Sequence, residues 1–377
     1  MRRTSIFVLF LALAGNAFAQ SGFTVDGFGQ FLAKISHSGD REAARQIAEA
    51  ALSERAGSTD LARWQAELKG EKARRALTAV VDASEFMPPP ASAVADVPAP
   101  AHAEQVGILD RTMAYVRDTL PRLPNFLAIR TTTHYDITTR KQLDAQIQLQ
   151  EVYELNNSRP KVEPLGAMYG QELFFMGVWQ SVVTYRDGAE VLDLQGASHR
   201  REPPLGLETK GEFGPILATV FGDAVHGAII WSRWERGANG LLAVFHYDVP
   251  KSVSHYMVLD EESGSGESPA YHGELAIEPG TGAIYRISLT AAGSESSVSR
   301  ESDIFLEYGQ VEIGGKTYVC PLHGVAYSQA NLMDRMGKLL PDAEQDKYGP
   351  RYLNDITFTQ YHLFRPEVRI LTDNPAQ

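Results

Sequence analysis

Apolar residues change their spacing partway along this chain. Up to about residue 85 they recur at helical intervals. Phe28, Phe31, Leu32 and Ile35 fall on one face, followed by Ala44, Ile47, Ala48, Ala51 and Leu52, with Asp40 placed to cap that second helix. A third helical stretch starts near Thr59 with Leu61, Trp64 and Leu68 and continues through Leu77, Val80 and Val81. Beyond residue 125 the period drops to two, the mark of half-buried strands, and Phe126–Thr138 alternates most clearly.

The most regular stretch runs from Tyr271 to Ser328 and predicts four strands joined by glycine-rich turns. The hairpin loop is Glu278-Pro279-Gly280-Thr281-Gly282. Beyond it, Ile284, Arg286, Ser288 and Thr290 are expected on one face, with Tyr285, Ile287 and Leu289 on the other. Gly314-Gly315, Asn239-Gly240 and Asp187-Gly188 mark three more tight turns. Around them, Ala228–Arg236, Leu241–Val249, Val253–Asp260 and Tyr352–Phe364 are predicted strands, and Gln146–Leu155 and Trp179–Leu194 give fainter strand signals. Gly166–Gly177 predicts a loop or short helix, Glu261–Pro269 a loop and Asn331–Pro350 an irregular polar excursion. Gly211–Phe221 carries its apolar residues at helical spacing and predicts a short helix against the sheet.

Between the two regimes lies MPPPASAVADVPAPAHA, a proline- and alanine-rich linker that cannot form a core. The predicted organisation is a helical domain over 21–85, a linker over 86–104 and a β domain over 105–370. The β domain is led by a helix carrying Val106, Leu109, Met113, Val116 and Leu120. The stretch GDREAARQIAEAAL resembles the packing face of a tetratricopeptide unit. No second copy follows, so a helical cap is the better expectation.

At the start of the chain, Arg2-Arg3, the apolar run Ile6–Ala14 and Ala17-Phe18-Ala19 predict a secretory signal over 1–19 and a periplasmic or secreted product. No later run is long enough to predict a transmembrane helix. Without Arg2 and Arg3, 33 basic residues face 47 acidic ones, which argues against nucleic acid as a partner. Cys320 is the sole cysteine, so no internal disulfide forms, and its place in a strand predicts a small buried hydrophobe.

Candidate chemistry is sparse. Gly309…Gly315-Lys316-Thr317 approaches a phosphate-binding loop, but its spacing is one residue too long and it joins strand to strand. Gly264-Ser265-Gly266 lacks the spacing of a nucleophile elbow, and Gly27-x-Gly29 follows no strand. None of the ten histidines shows metal-ligand spacing. His246, His255 and His272 fall in consecutive predicted strands. With Asp248 or Glu274 they form the one candidate acid–base or metal cluster.

Four stretches together carry a resemblance: LPNFLAIRTTTHYD, GEFGPILATVFGDA, AVFHYDVPKSVSHYMV and YHGELAIEPGTGAIYRISL…VEIGGKTYVCP. From about residue 105 to 365 the chain resembles exported proteins with the fold of periplasmic lipoprotein carriers and outer-membrane lipoprotein-sorting proteins. Glu278 stands where that family often has Asp. The resemblance implies an α+β fold, a strongly curved antiparallel half-barrel with a covering helix, here preceded by a small helical domain. It also implies a cavity for a lipid or other hydrophobic ligand, with no cofactor, metal or catalytic residue. Phe213, Trp231, Trp234, Phe245, Tyr247 and Tyr256 are the candidate lining residues, since aromatic side chains of this kind line apolar pockets as readily as they fill a core. The leading expectation is therefore an exported non-catalytic protein that binds a hydrophobic ligand or an envelope partner. A hydrolase or metal-dependent enzyme using the strand histidines is the first alternative. A protein-interaction module built on the N-terminal helices is the second.

Overall fold

A single large antiparallel sheet organises the fold. The computed structural model describes residues 22–144, 162–192, 207, 209–260, 265–293, 299–332 and 338–364. Four helices come first: α1 (Val25–Ile35), α2 (Asp40–Glu49), α3 (Ser58–Glu67) and α4 (Glu71–Ser84). Helix α5 (His102–Ala114) continues through a π-turn at Tyr115–Thr119 and a 3-10 turn at Leu120–Arg122. Strands β1 (Phe126–Thr138), β2 (Glu163–Met168), β3 (Gln171–Arg186) and β4 (Ala189–Leu192) follow, then helix α6 (Pro215–His226). Next come β5 (Ala228–Gly237), β6 (Gly240–Val249), β7 (Val258–Asp260), β8 (Ser265–Glu267), β9 (Tyr271–Ile277) and β10 (Ile284–Ala292). The described chain ends with β11 (Ser299–Ile313), β12 (Lys316–Ala330), helix α7 (Asp342–Tyr348) and β13 (Arg351–Leu363).

The fold is α+β. Eleven strands form one open sheet in the order β2-β3-β1-β13-β12-β11-β10-β9-β6-β5, with β4 beside β3, while β7 and β8 pair separately. Every pairing is antiparallel. The two faces carry different cargo. Tyr135, Phe175, Phe305, Val325 and Leu353 face α1–α4 and share their core. The opposite face presents Phe245, Tyr247, Leu275, Ile287 and Leu306 to α5 and α6. A third cluster, with Phe126, Tyr185, Phe213, Cys320 and Phe358, continues that second layer.

The Asp187-Gly188 and Gly314-Gly315 turns all adopt positive φ, from 54° to 82°, the twist that matches a hairpin. Register follows from these turns. Several expectations change. Gly166–Gly177 is strand rather than loop or helix. It spans the β2–β3 hairpin, whose turn is Tyr169 (φ 52°) and Gly170 (φ 76°). A tyrosine in the left-handed region gives no turn signal, and β3 opens as an apolar run without alternation. Ile284 does not share a face with Arg286. The register shifts between them, and that bulge turns Ile284 into the α5–α6 layer. Asn331–Pro350 contains helix α7, whose Gln345 carboxamide both receives from Leu332 N and donates to Leu332 O. Val253–Asp260 begins as a 3-10 turn, and only Val258–Asp260 is strand. The signals at 1–19 and Gln146–Leu155 lie outside the described residues, as does all of Glu261–Pro269 except its β8 end.

Asp40 opens α2 rather than preceding it, and Gly39 is the capping residue. The Asp40 carboxylate instead accepts from Ala73 N at 2.9 Å and Lys72 N at 3.3 Å, so it caps α4. Gly70, the residue before α4, has no side chain for that task. The proline-rich segment runs along the edge of β5. Ala95 N donates to Trp234 O (3.0 Å) and Arg236 N donates to Ala93 O (2.8 Å). Among the described residues, no helix is long and apolar enough to cross a membrane.

Candidate functional site

Alternation along β6, β9 and β10 sends charged residues to one face of the sheet and aromatic ones to the other, and in β5 a bulge between Trp231 and Arg233 brings both tryptophans to the aromatic face. All six aromatic candidates gather on the α5–α6 side. Trp234, Phe245, Tyr247 and Tyr256 are buried in one cluster, Trp231 packs against it, and Phe213 is buried in the adjoining one. Trp231 meets Trp234 edge-on at 4.9 Å and Phe245 at 5.5 Å between ring centroids. Tyr247 reaches Tyr271 at 5.9 Å, and Tyr256 reaches the same ring at 5.6 Å. Edge-to-face contacts at these distances add about 0.5–1.5 kcal/mol each beyond simple burial. Polar ends within the layer are paired: the Tyr247 hydroxyl donates to Ser288 O at 2.6 Å, and Trp234 Nε1 donates to Pro98 O at 3.0 Å.

Helix α6 closes this layer. Its apolar side, with Ile216, Leu217, Val220, Phe221 and Ala224, faces the sheet. Glycines bound it at both ends: Gly214 precedes Pro215, and Gly227 follows His226. Its one buried carboxylate, Asp223, fastens it to the next loop. Asp223 accepts from His255 N (2.7 Å), from His255 Nδ1 (2.6 Å) and from the Tyr271 hydroxyl (2.8 Å). Hydrogen bonding to Asp223 raises the His255 pKa above its usual value. The same carboxylate adds to burial in pushing the Tyr271 hydroxyl far up.

The candidate histidine cluster divides. His246 and His272 come together with their rings 6.2 Å apart, and His246 Nε2 lies 3.3 Å from Asp248 Oδ2. Burial lowers the His272 pKa, with His246 adding to that effect and Asp248 opposing it. His255 leaves the group for Asp223 on the other side of the sheet. Glu274 is taken by Arg233 through two contacts of 2.6 and 2.7 Å.

The face toward α1–α4 holds an ionic network that sequence spacing did not reveal. Glu235 on β5 receives Arg286 through both oxygens (2.7 and 2.8 Å), Arg233 at 3.0 Å and Arg55 from the loop between α2 and α3. Burial alone would raise the Glu235 pKa; Arg286 and Arg55 hold it below its usual value. Farther along this face, Asp82 of α4 stands opposite His323 and Asp355. The signal for Asp82 is a lone carboxylate within the apolar run Ala79-Val80-Val81-Asp82-Ala83.

The chain matches no protein-family model, no curated protein and no solved structure.

Proposed function

We propose that this is an exported binding protein that takes an apolar ligand, of the size of a fatty acyl chain, between helix α6 and the sheet. The fold around that site is read as a carrier-like half-barrel with α6 as its covering helix. One observation carries the proposal: all six candidate aromatics lie in the single apolar layer that α5 and α6 close. The charged side chains of β6, β9 and β10 face away from it, as do Arg233 and Glu235 of β5. In the structure the aromatic side chains fill this layer, so ligand entry requires α6 to lift. Its glycine-bounded ends and its attachment through Asp223 suit that movement. Binding of this kind needs no reacting group. Affinity comes from buried apolar area, at about 25 cal/mol per Å² before ordering costs.

Native mass spectrometry of the full chain with added palmitate tests the proposal. A one-to-one adduct is expected, weakened by Trp231→Glu at a partly exposed position, with circular dichroism of the variant as the check on its fold. A protein that stays ligand-free across a range of fatty acids and phospholipids would sink the reading.

A further inference from the structure

Helix α4 crosses the sheet over β12 and β13, and three side chains converge there from separate elements. His323 Nε2 lies 3.2 Å from Asp355 Oδ1 and 3.5 Å from Asp82 Oδ1. One donor atom from each of the three lies within 4.8 Å of the others. We propose that Asp82, His323 and Asp355 bind one divalent transition-metal ion, Zn²⁺ or Mn²⁺, which ties the helical layer to the sheet.

The spacing fits such an ion. Ligand bonds of about 2.0–2.1 Å in a tetrahedral site set neighbouring donor atoms about 3.3 Å apart. The two nitrogen–oxygen separations bracket that value. Charge fits as well, since two carboxylates and a neutral imidazole balance a doubly positive ion.

A second observation points to a ligand rather than a structural ion pair. Asp82 is fully buried, at 0% exposure, and neither of its carboxylate oxygens has an aligned hydrogen-bond partner. Both nitrogens of His323 share that condition. Buried polar atoms are normally paired, and a cluster left unpaired from both sides calls for an ion at its centre. Glu85, the residue that caps α4 at its C-terminal end, is also buried with an unpartnered Oε2.

Burial, reinforced by Asp355, pushes Asp82 up to about 7, and burial pushes Glu85 up to about 8. Burial would lower His323, but the neighbouring carboxylates of Asp355 and Asp82 raise it well above its usual value. The groups facing the site are Glu85 from α4, Glu307 paired with His323 from β11, and Arg55 from the helical layer. Carboxylate and imidazole ligands bind a metal ion in their deprotonated forms, so affinity rises with pH.

Isothermal titration of the full chain with ZnCl₂ and with MnCl₂, at pH 6 and pH 8, tests the site, with a thermal melt of each mixture. One equivalent of at least one ion should bind, more tightly at pH 8, and should raise the melting temperature. Asp82→Asn should weaken binding at least about tenfold, since even indirect metal contacts cost that much when lost. Asp355→Asn, at a less buried position, serves where Asp82→Asn fails to fold, with near-ultraviolet circular dichroism as the check. Absence of stoichiometric binding to either ion overturns the proposal, and so does binding that folded Asp82→Asn or Asp355→Asn retains undiminished.

Discussion

Asp223 holds His255 twice, once through the backbone amide at 2.7 Å and once through Nδ1 at 2.6 Å, while the rest of the imidazole stands in solvent. The raised pKa of His255 sets the sign of the effect. A histidine stabilised in its charged form contributes fully below its unfolded pKa, and the contribution fades as pH rises through the folded value. Protection of the amides of α6 and residues 250–256, taken relative to their intrinsic exchange rates, should therefore fall as pH rises above the ordinary histidine range. Asp223→Asn should flatten that dependence. Identical exchange profiles in the two proteins would show that His255 does not fasten α6.

Glu235 is the acceptor for three arginines, two of them nearly buried with it. Removing one partner from a buried ion network leaves uncompensated charge and typically costs about 3–5 kcal/mol. Glu235→Gln should lower stability by about 3 kcal/mol in urea unfolding. Because the Glu235 pKa is depressed, its contribution is present above the ordinary carboxylate range and disappears as pH falls through the folded value. Wild type and Glu235→Gln should thus converge in stability below about pH 4. A constant difference down to pH 3 would contradict the assignment.

Gly282 and Gly315 both adopt positive φ, 78° and 80°, yet they should respond differently to substitution. A Cβ on Gly282 would lie 2.3 Å from the Arg111 carbonyl carbon, because the turn packs on α5, whereas a Cβ on Gly315 meets nothing within 4 Å. Gly315→Asn should cost about 1 kcal/mol or less, as asparagine tolerates this backbone region. Gly282→Asn should cost clearly more and separate α5 from the hairpin. Equal melting temperatures for the two variants would refute the close packing.

Asp40 stands in for the side chain that Gly70 lacks at the start of α4. Asp40→Ala should destabilise by about 1 kcal/mol, the usual cost of a lost cap. Gly70→Ser beside the native Asp40 should also destabilise. Its Cβ would fall 1.9 Å from Asp40 Oδ1, so the two positions exclude each other. Chemical denaturation of both single variants checks this. A stable Gly70→Ser would mean that Asp40 swings away freely.

Much of the β architecture was legible because its turns and alternation are local signals. Phe126–Thr138 matches β1 residue for residue, and the turns at Asp187-Gly188 and Gly314-Gly315 lie where glycine demanded them. The hairpin at Tyr169-Gly170 was not legible, because a left-handed tyrosine carries no turn signal in the sequence. The bulge at Ile284 was hidden for a similar reason: alternation continues through it on paper, while the chain turns one residue over. Strand parity places Phe245 and Tyr247 on one layer, but Trp231 and Trp234 differ in parity and meet there only through the bulge between Trp231 and Arg233. The Asp82–His323–Asp355 convergence could not be anticipated, since it joins positions 82, 323 and 355 through the docking of α4 on β12 and β13. Sequence distance conceals such a meeting until topology brings the strands together.

The stretch around Ala93–Ala95 bonds to the outermost strand, β5, at the end of the sheet where another chain would otherwise add on. Prolines on either side of it cannot donate backbone hydrogen bonds, so the added segment offers a poor template for a further strand. A composition that cannot build a core thereby protects the molecule from polymerising through its own margin.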